Sequence, residues 1–151
     1  MSADRVVTIR RVLPAPPDVV YDEWLDPVGM LVWMCPRPAR AVKISLEPSV
    51  GRPLRIDIED SGSSLYVTGT FVELDRPRRL RFTWSCSAWA DPSVQSLVTV
   101  TLEARGADET MMIIEHEQLP PEEMDTHQHG WGTIAVQFGE VIRERAGKGQ
   151  S

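Results

Sequence analysis

A chain of 151 residues can bury about 70% of the surface its unfolded form exposes, so one domain is expected over residues 1–151, with an ordered core from about 5 to 146. Apolar residues at 42% and charged residues at 25% are ordinary for a soluble globular protein. Sixteen basic against 22 acidic residues leave a formal charge of -6, which argues against general affinity for nucleic acid or anionic membrane.

The first five residues lead into no signal-peptide core, and the longest apolar run, Val28 to Cys35, is far shorter than the roughly 20 residues a bilayer requires. No membrane insertion is expected. Cys35 and Cys86 lie in apolar or aromatic surroundings with no CxxC partner, which points to free thiols and a cytoplasmic location.

In chain order, Arg5 to Leu13 is β-rich and stopped by Pro14, so it reads as a first strand. Prolines at 14, 16 and 17 open a helix whose inner face is expected to carry Val19, Val20, Trp24 and Leu25. Asp26-Pro27 ends it, and a second short helix carries Met30, Leu31 and Trp33 up to Pro36. Six strands follow. They are Ala41 to Leu46, Leu54 to Glu59, Leu65 to Leu74, Leu80 to Trp84, Val98 to Glu103 and Thr110 to Glu117. Alternation is cleanest in Leu54-Ile56-Ile58 and in Val98-Val100-Leu102, as antiparallel strands with one buried face require. Gly69, in the middle of its strand, predicts a bulge or bend there. Pro120-Pro121-Glu122-Glu123 starts a long last helix, on which His127, Trp131, Ile134, Phe138, Val141 and Arg145 share a face through steps of four and three. Gly130 and Gly132 weaken it near its beginning, so a break or kink is expected there, and the chain should fray from Gly147. The fold class is α+β, a curved antiparallel sheet of about seven strands wrapped on the C-terminal helix.

Several local patterns resemble the START-like, or SRPBCC, superfamily, and within it the family named after the C-terminal domain of the activator of Hsp90 ATPase. They are Ala15-Pro16 with Val20-Tyr21, Trp24 and Asp26-Pro27; Trp33 with Pro36; Gly69, Phe71 and Glu73; Leu80-Arg81-Phe82-Thr83-Trp84; Thr110, Met112, Ile114 and His116; and Gly130-Trp131. Two places depart from the pattern, Met34 where a second tryptophan often stands and Gly51-Arg52 where a glycine pair is common. The resemblance implies the helix-grip fold, with a cavity between sheet and last helix.

Lining positions expected for that cavity are Trp33, Phe71, Phe82, Trp84, Val98, Val100, Met112, Ile114, His116, Trp131, Ile134 and Phe138. Packing against one another as plain core is the alternative for each. His116 shares the apolar face of Met112 and Ile114, where it is a polar anchor, a general base, or a neutral core histidine bonded to a neighbour. His127 and His129 are two apart and diverge on a helix, unlike a zinc-binding i, i+4 pair, so no metal and no cofactor are expected. No nucleophile-base-orienter motif is visible.

Three functions follow from the resemblance. The first is binding of a hydrophobic small molecule or lipid without chemistry. The second is a polyketide cyclase or dehydratase-like reaction using His116 with Glu73 or Arg11. The third is a co-chaperone module, ranked lowest because the chain has no room for the chaperone-binding portion that accompanies this domain in the Hsp90 activator. A homodimer is compatible with any of them.

Overall fold

The computed structural model describes residues 6–149. Strand β1 (Val6–Leu13) is followed by two helices of about two turns, α1 (Pro17–Glu23) and α2 (Pro27–Trp33). Then come β2 (Arg40–Leu46), β3 (Pro53–Asp60), β4 (Ser63–Asp75), β5 (Arg79–Cys86), β6 (Ser96–Arg105) and β7 (Glu109–Glu117), and finally α3 (Met124–Gly149). All ladders are antiparallel, and the order across the sheet is β1-β7-β6-β5-β4-β3-β2. β2 to β7 form a meander, and β1 returns to pair with β7 at one edge. The order of elements follows the sequence expectation, and the arrangement is the helix-grip fold. Arg5 and the last two residues, on which part of the strand and fraying expectations fall, lie outside the described residues; the backbone is helical through Gly149.

One face of the sheet is sealed by α3. Trp131, Ile134, Phe138 and Val141 are all buried on the stripe expected for the helix. The helix is not broken at its glycines: it is continuous from Met124 to Gly149. A Cβ on Gly130 or Gly132 would sit at van der Waals distance from Pro36 or Ile9 (3.8 Å each), so packing on both sides compensates the low intrinsic helix propensity.

The two short helices bury Val20, Trp24, Met30 and Trp33 as the sequence suggests, but turn Val19 and Leu31 outward. Val19 is 44% and Leu31 is 39% exposed. Seven residues hold two turns at most, so a single aromatic anchor in each segment, Trp24 and Trp33, sets the rotation. Those anchors join Phe138 in a tight aromatic cluster, with Trp24–Trp33 at 4.9 Å and Trp33–Phe138 at 4.5 Å, both edge-to-face. Such pairs add about 0.5–1.5 kcal/mol each beyond their burial.

Gly69 and the bulge are separate features. The register slips between Phe71 and Glu73, so Val72 and Glu73 both face outward, with Phe71 and Leu74 inward. At Gly69 the strand is close to its neighbour instead: a Cβ there would lie 2.0 Å from the Thr83 carbonyl oxygen. The outer face carries the charges. Glu73 bonds Arg79 and pairs with Arg81, and Arg55 bonds Asp57 and stacks over Tyr66.

Candidate functional site: a cavity under the N-terminal half of the last helix

His116 is completely buried on β7, opposite Val98 on one side and Val7 on the other. Its Nδ1 accepts a hydrogen bond from the indole Nε1–H of Trp131 at 2.9 Å. An indole nitrogen only donates, so Nδ1 carries no proton. Ser96 Oγ spends its own proton on the Trp84 carbonyl (2.9 Å) and lies 2.6 Å from His116 Nε2. The ring is therefore the neutral Nε2–H tautomer, donating to Ser96. Burial, with a smaller contribution from His127, lowers its pKa to about 3. Of the expected readings, the structure has the bonded neutral histidine, tying β5, β6, β7 and α3 together. Glu73 lies on the outer face with its arginines, and Arg11 runs beside Gly139, so neither converges on the ring.

Next to this network the sheet and α3 diverge and leave a cavity of about 280 Å³. Its floor is Ile56, Ile58, Leu65 and Val67 from the end of the β3–β4 hairpin, with Trp84 and Cys86 from β5. One wall is the connector after α2, from Met34 to Pro36 and Ala39, and the loop residues Ala88 and Trp89 form another. The roof is α3 and the turn before it, through Glu123, Thr126, His127, Gly130, Trp131 and Ile134. Exposed Asp60, Ala88 and Thr126 mark the side toward solvent.

Gln137 fixes the connector wall from the middle of α3. Its amide nitrogen donates to the Trp33 and Cys35 carbonyls at 3.1 and 2.8 Å, and its oxygen accepts from the Arg37 amide at 3.0 Å. Ser85 Oγ donates to the Pro92 carbonyl at 2.6 Å and so pins the β5–β6 loop.

Polar chemistry in the cavity is sparse. His127 Nδ1–H donates to the Glu123 carbonyl at 2.9 Å, which leaves Nε2 as an acceptor with no partner among the described residues. Burial holds His127 below the ordinary histidine range, so it is neutral at neutral pH. The Nε1–H of Trp84 is buried and has no hydrogen-bond partner among the described residues. Burial pushes the Cys35 thiol up to about 12 and raises Cys86 as well, so neither is a ready nucleophile. Among the described residues no three metal-ligating side chains gather, and no helix is long and apolar enough to cross a membrane.

Of the residues expected from the sequence, Trp84, Trp131 and Ile134 line the cavity, and His116 stands behind Trp131. Trp33, Phe82 and Phe138 belong to the aromatic cluster with Trp24, and Phe71 meets Phe82 edge-on at 6.2 Å. Val98, Val100, Met112 and Ile114 are buried core and do not line the cavity. Sequence reasoning passed over the floor from β3 and β4 and the His127 side of the roof. Ile56 and Ile58 were readable from their alternation, and His127 from its place on the buried stripe of α3.

A curved sheet folded over one long helix, with an apolar gap at one end, defines a START-like (SRPBCC-like) helix-grip protein. The chain belongs to the family described as activator of Hsp90 ATPase homolog 1-like protein, whose model matches residues 14–143. No curated protein matches it. Among solved structures it is similar to a protein of Nitrosomonas europaea, at 20% identity and a TM-score of 0.79, covering 97% of this chain and 99% of that one. The AHSA1 protein of Silicibacter pomeroyi is similar at 19% identity and 0.76, over 93% and 99% of the two chains. CalU16 of Micromonospora echinospora is similar at 22% and 0.69, over 92% and 74%. At these identities the likeness is one of fold.

Proposed function

We propose that this protein binds a small hydrophobic molecule in the cavity beneath the N-terminal half of α3, without carrying out chemistry on it. The carrying observation is a mostly apolar cavity of about 280 Å³ between the β3–β5 end of the sheet and the N-terminal half of α3, floored by Ile56, Val67 and Trp84 and roofed by Trp131 and Ile134. A volume near the lower edge of ligand pockets suits a small guest. His116 is a fastener on this reading. Both its nitrogens are committed, and at neutral pH its low pKa leaves it no proton to give beyond the one held by Ser96. A cyclase-like reaction through His116 would first have to break the bonds that hold α3 to the sheet. The two free, buried thiols fit a reducing compartment such as the cytoplasm.

Native mass spectrometry of freshly purified protein, followed by a thermal-shift screen of small aromatic and aliphatic compounds, tests the proposal. Binders are expected in the wild type. Ala39→Trp, which places an indole in the cavity wall, should abolish them with the fold intact by circular dichroism. Binders that survive this substitution would place the site elsewhere.

A further inference from the structure

Resting on that reading, the cavity also has a preference of its own. A dry 150 Å³ cavity accommodates benzene, so about 280 Å³ leaves room for two fused rings. The charged residues that line it are all of one sign. Asp60 and Glu123 are its charged lining residues, and no arginine or lysine lines it. Asp60 has no ion-pair partner among the described residues; its contact is a hydrogen bond from Ser61. Among the described residues the ion-pair contact of Glu123 is with His127, which is neutral. Besides burial, Asp60 raises the Cys35 thiol and Glu123 the Cys86 thiol, so both carboxylates act on groups that line the cavity. The free ring nitrogen of His127 offers a further acceptor in the roof.

We infer that the cavity takes a bicyclic apolar body whose polar end is a hydrogen-bond donor, an amine above all, and that it rejects carboxylates such as fatty and aromatic acids. The ring system fills the space between Ile56, Val67, Trp84 and Ile134. The donor end lies toward Asp60 and Glu123, where a carboxylate would meet two like charges and no compensating cation.

Three probes of one shape separate the contributions: 1-naphthylmethylamine, 1-naphthylmethanol and 1-naphthoic acid, titrated calorimetrically at pH 7.5. The amine should bind at least about tenfold more tightly than the alcohol, and the acid more weakly than both. In the double variant Asp60→Asn, Glu123→Gln the amine should fall to the level of the alcohol, while the alcohol keeps its affinity and so reports that the cavity is intact. An alcohol that binds with no advantage for the amine, or an acid that binds as well as the amine, overturns the head-group preference and leaves the cavity reading standing. An advantage for the amine that persists in the double variant overturns the role of the two carboxylates. No binding of any probe overturns the inferred guest class; the absence of any binder in the wider screen as well overturns the proposed function with it.

Discussion

His116 has a definite proton inventory. Trp131 can only donate to it and Ser96 has already given its own proton away, so the ring keeps one proton, on Nε2. A second proton on Nδ1 would expel the Trp131 indole and place a charge at a site with no exposure, beside the ring of His127 at 5.2 Å. That is why its pKa falls to about 3. The linkage sign follows. A pKa lowered on folding gives stability that is complete above the unfolded value near 6.5 and is lost as pH falls toward the folded value. Between pH 6 and 4 this one group should remove about 1.4 kcal/mol per pH unit, with His127 adding to it. Urea unfolding at pH 7.5, 6.0 and 4.5 checks this: His116→Phe should flatten the slope by that amount, while costing about 1–3 kcal/mol at pH 7.5 for the orphaned Trp131 donor. A nitrogen-detected histidine titration with a midpoint near 6.5 would contradict it. Alternation with Met112 and Ile114 placed His116 on the buried face from sequence. Its partners, 20 and 15 residues away, depend on how β6 and α3 come to lie beside β7, and no local pattern encodes that.

Among the elements, the short ones gave the least away. In α1 and α2 apolar residues stand on more than one side, so Val19 and Leu31 looked as suitable for the core as Val20 and Met30, and tertiary packing of the two tryptophans decided between them. The long helix was legible for the opposite reason: six positions over five turns leave one phase. Its glycines misled because propensity describes an isolated helix, whereas Pro36 and Ile9 support this one. The connector after α2 is irregular in sequence and is organised by a single buried side chain, Gln137. Replacing it with leucine, which has a similar volume, leaves the Trp33 and Cys35 carbonyls and the Arg37 amide without their partner. The expected cost is about 2–4 kcal/mol, since several backbone groups lose a bond at once. Hydrogen exchange should resolve where the loss falls, with the Arg37 amide becoming rapidly exchanging while the β6–β7 ladder stays protected. Equal loss of protection throughout would mean that Gln137 holds the whole fold rather than one wall of the cavity.

Across the molecule, α3 is held at three levels: its first turns roof the cavity, Gln137 ties its middle, and Arg145 anchors its far end to Glu23. Strand order and the helix-on-sheet arrangement were readable from the succession of elements, but the place of the cavity depends on how the β3–β4 hairpin, the connector after α2 and α3 come together, which no periodicity states. The far anchor is a carboxylate at 3% side-chain exposure that also accepts from Trp33 Nε1 at 2.9 Å. Gly29 makes room for it, since a Cβ there would lie 2.5 Å from Glu23 Oε2 and 2.9 Å from an Arg145 nitrogen. Burial raises the pKa of Glu23 despite the lowering from Trp33 and Arg145. A raised carboxyl pKa works in the opposite sense to His116: its contribution is complete at low pH and is lost as pH rises through the folded value. Arg145→Ala should enlarge that effect. It removes the cation from a carboxylate that stays buried, a change worth about 3–5 kcal/mol for a fully buried pair and about 2–3 here, because Arg145 is half in solvent. The gap between wild type and variant should be widest at pH 7.5 and shrink toward pH 4, where Glu23 takes up a proton in both proteins. Urea midpoints at the two pH values measure it. A gap independent of pH would show that Arg145 contributes through packing of its stem and not through charge, and Glu23→Gln, which keeps an acceptor for Trp33, should then be as stable as wild type at both pH values.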